Sequence, residues 1–266
     1  MSKDYRDTEY CPGYGNILED KKIFMDSFRT QHPRAKDIHA YVSKNEGTYK
    51  KDFIKIYNGK CAYCGTSIKI IPKTMFEIDH FIPQSADCFV NKAAAGDISN
   101  IVLSCQTCNH NKSDFLIEPE IRSLLHPDHD GIRNAFFRDE LYYIRVVDGQ
   151  PSEVTDFYKQ LELDRQICRL DYLLLNMKGL YAKIADRPEI HNLLGEAISL
   201  LSEKRNNGCK FQNFFFPQKT SFGLWIAPAS SASVYTKAQT RMALQICRAY
   251  SACWDAVPIP VNITEP

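Results

Sequence analysis

The residues best suited to chemistry in this 266-residue chain lie between Cys61 and Lys112. Two Cys-x-x-Cys pairs, Cys61/Cys64 and Cys105/Cys108, supply the four thiolates of a tetrahedral zinc site. Forty residues separate the pairs, so the segment between them must fold back to bring both pairs together. Because a four-cysteine site leaves no coordination position open, we expect its zinc to be structural and to contribute folding free energy.

Inside and just after this segment stand residues that could bind a second cation and move a proton. Asp79 and His80 are adjacent in the insert, and Asn109 follows the second cysteine pair directly. Carboxylate and amide oxygens suit a hard cation such as Mg²⁺, and a neutral histidine can take a proton from an attacking water. Hydrolysis of a phosphodiester needs such a base and a cation that stabilises the charge on the phosphate. The residues therefore favour metal-dependent hydrolysis of phosphodiester bonds.

The order and spacing of these residues resemble the HNH endonucleases of the ββα-metal class, and the zinc-knuckle branch of that family fits best. The resemblance covers about residues 53–115. It rests on the first cysteine pair, on the run IDHFIPQS at 78–85 and on the run NIVLSCQTCNHNKSD at 100–114. The residues around Asp79 and His80 are also similar to the HNH domain of RNA-guided CRISPR nucleases.

Carried over residue by residue, the resemblance makes His80 the general base and Asp79 and Asn109 the ligands of a catalytic Mg²⁺ or Mn²⁺. Asn100 would brace the loop that orients the base, and Lys112 would lie near the phosphate. The resemblance also implies cleavage to 5′-phosphate and 3′-hydroxyl ends. Structural Zn²⁺ and catalytic Mg²⁺ or Mn²⁺ are the expected cofactors.

The residues leave three points open. Glu77 shares a strand face with Asp79 and is either a ligand in the outer shell of the cation or an exposed acid. His110 rivals Asn109 as the last ligand, but neighbouring residues of a helix point in different directions, so both are not expected to reach one ion. Regular strand alternation would send Asp79 and His80 to opposite faces, so the strand must bend or end there.

The basic residues near the motif have two readings. Lysines outnumber acids between 50 and 73, where Asp52 is the sole acid. They form either a solvated helix face or, beside a nuclease site, a patch that contacts phosphates; they are Lys50, Lys51, Lys55, Lys60, Lys69 and Lys73. The remaining cysteines have no ligand spacing and are expected to be ordinary small apolar residues; they are Cys11, Cys88, Cys168, Cys209, Cys247 and Cys253.

The elements that must position the motif follow from residue pattern. Segments 68–72 and 76–82 predict a hairpin, 100–104 a further strand and 107–114 a short helix. Upstream, 1–17 has the composition of a loop or loose arm, and helices are expected at 18–30, at 36–43 and from Thr48. We therefore expect an α+β protein: a small ββα-metal HNH core held by a four-cysteine zinc site, embedded in mainly helical N- and C-terminal extensions.

The C-terminal half reads mainly as helix. An apolar stripe repeats at steps of three and four from Leu163 to Tyr181, and a second helix starts near Asp186, so the two are expected to form an antiparallel scaffold hairpin. Aromatic residues are concentrated at 211–225, where they could form a core, a lid or an interface, and a final helix is expected at 236–254.

The expected domains are an N-terminal helical arm at 1–50, an HNH nuclease core at 51–118 and a mainly helical region at 119–266 with a short β segment near 136–147.

Composition limits the class of protein. With 44% hydrophobic and 24% charged residues the chain reads as globular, and its net charge of +1 gives no global attraction to a polyanion. No stretch has the length of a membrane span, so we expect no membrane association and a cytoplasmic location. Paired cysteines in a reducing compartment indicate metal binding and not disulfides.

Two functions from different classes fit the sequence. The first is a metal-dependent HNH endonuclease that acts on nucleic acid, with DNA favoured over RNA. The second is a catalytically silent, zinc-bound module that binds nucleic acid or protein. An HNH core between helical extensions also resembles effectors of anti-phage defence, including those paired with an ATPase as in Septu-type systems. That resemblance would place a protein partner such as an ATPase on the C-terminal region.

Overall fold

The computed structural model describes residues 3–44 and 47–207. In chain order the elements are α1 (Ile17–Gln31), α2 (His39–Val42), α3 (Thr48–Ile56), β1 (Phe76–His80), α4 (Lys92–Ala95), β2 (Ile101–Cys105), α5 (Gln106–Lys112), α6 (Arg122–Leu125), α7 (Ile132–Ala135), β3 (Phe136–Arg138), β4 (Ile144–Val146), α8 (Ser152–Gln160), α9 (Gln166–Tyr181) and α10 (Pro188–Asn207). These helices and two small two-stranded sheets confirm the mixed fold class.

The motif folds as strand, loop, strand and helix. β1 and β2 pair antiparallel, with Phe76 opposite Cys105 and His80 opposite Ile101. α5 begins at the residue after β2 and packs on both strands. The twenty residues between the strands carry only α4 and a short 3-10 turn at 98–100. The predicted ββα order is therefore present, with the loop between the strands as its variable part.

The predicted hairpin between 68–72 and 76–82 is wrong. The amides of Ile70 and Ile71 both donate to the carbonyl of Ser67, at 2.8 and 3.1 Å. The apolar run thus satisfies its backbone groups within one turn, and no ladder partner is needed. Strand β1 takes its partner from residues 101–105 instead.

The segment before α1 is irregular, as predicted, but it is packed and not loose. Arg6 is 1% exposed, and its guanidinium donates to the carbonyl of Ala62 at 2.6 Å and to that of Pro127 at 2.9 Å. Asp4, also buried, pairs with the same guanidinium at 2.7 Å. A buried cation is tolerated because its hydrogen bonds and its charge are both matched. The segment therefore ties the first cysteine pair to the turn at 126–131.

Helices α1 and α3 build the N-terminal support for the motif. Asn16 caps α1 by accepting a hydrogen bond from the amide of Glu19 at 3.2 Å. Phe24 and Phe28 share one face of α1 and pack on Phe53 of α3 and its neighbours, and all three are buried. Apolar burial of this kind supplies most of the stability of short helices.

A buried cation fixes α1 to the loop that precedes β2. Lys21 donates to the carbonyls of Ile98 and Ile101, at 2.9 and 2.6 Å, and to Asp128 at 2.5 Å. The second oxygen of Asp128 accepts from the hydroxyl of Tyr57 at 2.7 Å. All three donor positions of the ammonium are thereby used, so this lysine acts as a structural tie.

The C-terminal helices form the predicted hairpin. The end of α9 meets the start of α10, where the rings of Tyr181 and His191 stack at 3.6 Å between centroids. The other ends meet where Arg205 donates to Asp171 at 2.7 Å, so the helices run antiparallel. The stripe of α9 is buried at Leu170, Leu174 and Met177. Strands β3 and β4 confirm the β segment near 136–147.

Within the described residues, none of the helices combines the length and the apolar character of a membrane span. The aromatic cluster at 211–225 and the final helix expected at 236–254 lie outside the described residues. The boundaries expected for the three domains stay predictions. The packing nevertheless joins residues from Tyr5 to Cys168 in one hydrophobic core.

Candidate active site

The four cysteines come together as a buried metal site. Their Sγ atoms all lie within 4.8 Å of one another, and those of Cys64 and Cys105 are 3.8 Å apart. A tetrahedral zinc with Zn–S bonds of about 2.3 Å has S–S edges of roughly 3.8 Å. Among the described residues no other group of three or more potential ligand side chains converges in this way. The residues fit structural zinc.

Local backbone geometry forms the first knuckle. Gly65 adopts φ +79° and donates its amide to the carbonyl of Cys61 at 2.9 Å. A Cβ at Gly65 would lie 2.9 Å from the carbonyl oxygen of Arg6, so the turn needs glycine for its conformation and for its space. The second knuckle uses the end of β2 and the first turn of α5, which hold Cys105 and Cys108.

The C-terminal hairpin lies directly against this zinc site. Interaction with the neighbouring thiol of Cys64, together with burial, raises the pKa of the Cys168 thiol of α9. Thr66 donates to Asp171 of α9 at 2.8 Å, and its hydroxyl lies 3.2 Å from the sulfur of Cys64. The sequence spacing of Cys168 gives no sign of this proximity. The expectation that it is an ordinary apolar residue is therefore incomplete.

Asp79 is enclosed. Its Oδ2 accepts from the hydroxyl of Tyr63 at 2.6 Å, its Oδ1 from the ammonium of Lys112 at 3.1 Å, and the residue is 6% exposed. Burial raises the pKa of Asp79, and the charge of Lys112 opposes that rise. Lys112 is itself fully buried, so its ammonium faces a carboxylate and not solvent. The phosphate role of Lys112 stays a prediction and requires the ammonium to turn away from Asp79.

His80 lies at the end of β1 against the N-terminal part of the chain. Its ring stacks on that of His39, with centroids 4.1 Å apart and planes 32° from parallel. Burial first, and then the charge of His39, lowers the pKa of His80 to about 4. The imidazole is therefore neutral at neutral pH, which is the state in which a base accepts a proton. The sequence motif contains no signal for His39.

Asp79 and His80 contact different elements, as strand alternation implies. Asp79 faces α5 and Tyr63, whereas His80 faces α2. Both side chains nevertheless respond to the same charges, because His39 lowers the pKa of Asp79 and Lys112 lowers that of His80. The strand ends at His80. That Asp79 and His80 act together in one active site stays a prediction.

Glu77 and Asn109 form a second, more open cluster beside Asp79. Glu77 accepts from the amide nitrogen of Asn109 at 2.5 Å, and the ring of His110 lies 3.8 Å from the same carboxylate oxygen. The side chain of Glu77 is 32% exposed and that of His110 is 63% exposed. Glu77 thus touches the predicted ligand Asn109 directly, which favours a role beside the cation over that of an isolated surface acid.

Asn100 holds the chain immediately after His80. Its side chain accepts from the amide of Ile82 at 2.9 Å and donates to the carbonyls of Ile82 and Ala95, at 3.0 and 2.8 Å. Its own carbonyl accepts from the amide of Phe81 at 2.7 Å. These contacts suit the predicted brace, since they fix the backbone on the C-terminal side of His80, the predicted base.

The six lysines of 50–73 do not form one patch. Lys60 is 2% exposed and pairs with Asp7 at 3.2 Å, and Lys50 is 8% exposed. Lys55 pairs on the surface with Asp52. A phosphate-contacting patch made of all six is therefore wrong, because two of the ammonium groups are directed into the protein.

Comparison with known proteins agrees with this geometry. The HNH endonuclease family model matches residues 61–115. The SPbeta prophage-derived protein YoqL of Bacillus subtilis strain 168, whose name assigns it to the HNH endonucleases, is 30% identical over 105 residues, 38% of this chain and 41% of YoqL. The Septu protein PtuB of Bacillus mycoides strain KBAB4 is 28% identical over 117 residues, 39% of this chain and 36% of PtuB.

The chain spans about two fifths of the length of these curated relatives. No solved structure matches significantly. The family match begins at the first zinc-site cysteine and ends three residues beyond Lys112, so it contains both knuckles and every predicted site residue. The chain therefore carries an HNH endonuclease domain between Cys61 and Phe115.

Proposed function

We propose that the chain is a metal-dependent endonuclease that hydrolyses phosphodiester bonds of DNA with His80 as general base. The observation that carries the proposal is a half-buried, neutral imidazole next to a buried carboxylate at the end of β1, within a domain that matches the HNH endonucleases. The proposed site of action is the cytoplasm, where zinc-binding thiolates stay reduced.

In this proposal each residue has a separate task. His80 takes the proton of the attacking water, and Asn100 keeps the backbone after His80 in place through its bonds to Ile82. Asp79 and Asn109 would hold a Mg²⁺ or Mn²⁺, which supplies charge stabilisation at the phosphate and the leaving oxygen. Lys112, released from Asp79, would then contact the phosphate. Replacement of the Lys112 ammonium by the cation as the partner of Asp79 is electrostatically favourable, because a divalent cation carries twice the charge of an ammonium group.

Plasmid cleavage tests the assignment. Supercoiled DNA is incubated with the zinc-loaded protein and Mg²⁺ or Mn²⁺, and nicked, linear and intact forms are quantified. We expect His80→Ala and Asn109→Ala to lose cleavage, whereas the matched variant His110→Ala, one residue from Asn109 and largely exposed, keeps it. Equal cleavage by wild type and His80→Ala would remove His80 from the mechanism. A parallel single-stranded RNA of the same sequence decides between DNA and RNA.

The enclosed state of Asp79 favours a second candidate, a silent zinc-bound module. Both carboxylate oxygens of Asp79 already have partners, Tyr63 and Lys112. A module of this kind would retard DNA in a mobility-shift assay and leave it intact with either cation. Cleavage that His80→Ala abolishes would exclude this candidate.

We also propose a role in anti-phage defence with a protein partner, such as an ATPase, bound to the C-terminal region. The support is the similarity to the Septu protein PtuB, which covers 39% of this chain. Cells that express the native locus with wild type or with His80→Ala would be challenged with phage. Equal plaque numbers on both strains and on cells without the locus would refute the defence role.

A further inference from the structure

His39 stands outside the HNH domain and yet touches the proposed base. It is the first residue of α2, in the segment before residue 61 where the family match begins. Its ring stacks on His80 at 4.1 Å between centroids. Its Nε2 lies 3.0 Å from the carbonyl oxygen of Ile78, two residues before His80 on β1. One side chain therefore contacts both the ring of the base and the strand that carries it.

The contact with Ile78 fixes which nitrogen of His39 donates a hydrogen bond. A backbone carbonyl can only accept a hydrogen bond, so Nε2 of His39 carries a proton and donates it to this carbonyl. A pair of metal-binding histidines would direct one lone pair from each ring toward a shared ion. Stacked rings 32° from parallel instead send their in-plane lone pairs outward from the stack. The arrangement suits support of one ring by the other better than joint metal binding.

The backbone of α2 is itself held by the loop that contains Asn100. The amides of Ile38 and His39 both donate to the carbonyl of Gly96 at 3.0 Å. Asp37 caps α2 by accepting from the amide of Ala40 at 3.0 Å. A Cβ on Gly96 would lie 2.2 Å from the carboxylate of Asp37, so any side chain at position 96 would displace Asp37. The position of His39 is thus fixed from both of its sides.

We propose that His39 is a positioning residue that holds the imidazole of His80 in its reactive orientation. The stack restricts rotation of the His80 ring, and the bond to Ile78 keeps the two rings in register along β1. The inference rests on the proposed role of His80. Misplacement of a reacting group by about 1 Å can cost roughly 100-fold in rate.

Steady-state plasmid cleavage by four proteins tests the inference: wild type, His39→Ala, His39→Phe and the control His32→Ala. His32 is another half-buried histidine of the N-terminal region; its ring centroid lies 4.7 Å from that of Tyr41, with the planes 45° apart, and it is distant in sequence from β1. We expect His39→Ala to lower kcat by about 10- to 100-fold with KM within about twofold of wild type. His39→Phe keeps an aromatic ring on His80 and should recover much of that loss, and His32→Ala should cleave like wild type.

The outcomes separate this inference from the proposed function. Wild-type kcat in His39→Ala, together with an inactive His80→Ala, would overturn the positioning role and leave the base in place. Absence of cleavage by wild type would overturn the proposed function and the inference with it. Zinc content and melting temperature of each variant identify a general loss of folding, and equal kcat losses in His39→Phe and His39→Ala would refute the stacking contribution. Nitrogen-15 NMR of the imidazoles gives a readout without activity: an unprotonated Nε2 of His39 would contradict its hydrogen bond to Ile78.

Discussion

The buried pair between Lys112 and Asp79 leads to a prediction about stability. The ammonium and the carboxylate are 3.1 Å apart, and their side chains are 0% and 6% exposed. Lys112→Met keeps much of the side-chain volume and removes the charge, which leaves Asp79 buried with the hydroxyl of Tyr63 as its remaining donor. Loss of one partner of a buried ion pair costs about 3–5 kcal/mol of unfolding free energy.

Urea denaturation followed by circular dichroism at saturating zinc measures this cost. With a slope of about 3 kcal/mol per M, the midpoint should fall by roughly 1–2 M. The matched control is Lys55→Met, which removes an ion pair with Asp52 at 2.7 Å whose side chains are 77% and 41% exposed. That exposed pair should contribute less than about 1 kcal/mol, although its atoms are closer together.

A double variant checks the cause. Asp79→Asn in the Lys112→Met background removes the unpaired charge, so the double variant should be more stable than Lys112→Met alone. Similar midpoints for Lys112→Met and Lys55→Met would refute the reasoning. So would strictly additive effects of the two substitutions at the buried pair, since additivity means that the charges do not interact.

Three further predictions concern zinc, pH and one glycine. A chelator at neutral pH should abolish the folded circular-dichroism spectrum, and added Zn²⁺ should restore it. The reason is that the binding free energy of structural zinc, about 10–16 kcal/mol, contributes to the free energy of folding. An unchanged spectrum would exclude a structural metal. Burial lowers the pKa of His126 to about 4, so its neutral form stabilises the fold fully above the ordinary pKa of 6.5 and this stability is lost as the pH falls toward 4. Between pH 7 and pH 5 the unfolding free energy of wild type, measured by urea denaturation, should therefore fall more than that of His126→Gln, by up to about 1.4 kcal/mol per pH unit below 6.5. Parallel pH profiles would contradict this. Gly96→Ala should lower the melting temperature because its Cβ would meet the carboxylate of Asp37 at 2.2 Å. The control Gly195→Ala, within α10, should lower it less, because its Cβ would lie 3.3 Å from the ring of Tyr181 and alanine favours the helix. The reverse ranking in a thermal melt would show that α2 tolerates a side chain on this loop.

The sequence predicted those parts of the site whose residues are close together in the chain. The cysteine pairs, the order strand, loop, strand and helix, and the contact between α9 and α10 all follow from local spacing and periodicity, and the structure contains them. Residues that are three or four positions apart in the sequence are connected by few possible backbone conformations, so the relative positions of their side chains are predictable. The family resemblance added the proposed identity of the base, which spacing alone does not give.

The rest depends on contacts between distant segments. His39, Cys168 and Arg6 reach the site from helices or loops far along the chain, and no local pattern marks them. The predicted hairpin at 68–82 is wrong because an apolar run does not determine which segment it pairs with. A local turn satisfies the backbone hydrogen bonds of Ile70 and Ile71 instead. Lys60 was expected on a surface, but its ammonium is buried against Asp7, a partner more than fifty residues upstream.

The contacts of Arg6 have a consequence for the order in which the protein folds during synthesis. Its two carbonyl partners, Ala62 and Pro127, follow it by 56 and 121 residues. The N-terminal segment therefore leaves the ribosome long before its binding surface exists, and it cannot settle until translation has passed the turn at 126–131. Closure of so long a loop is slow compared with formation of the local knuckles. The HNH domain thus acquires the contacts of Arg6 only after all four cysteines of the predicted zinc site have been made.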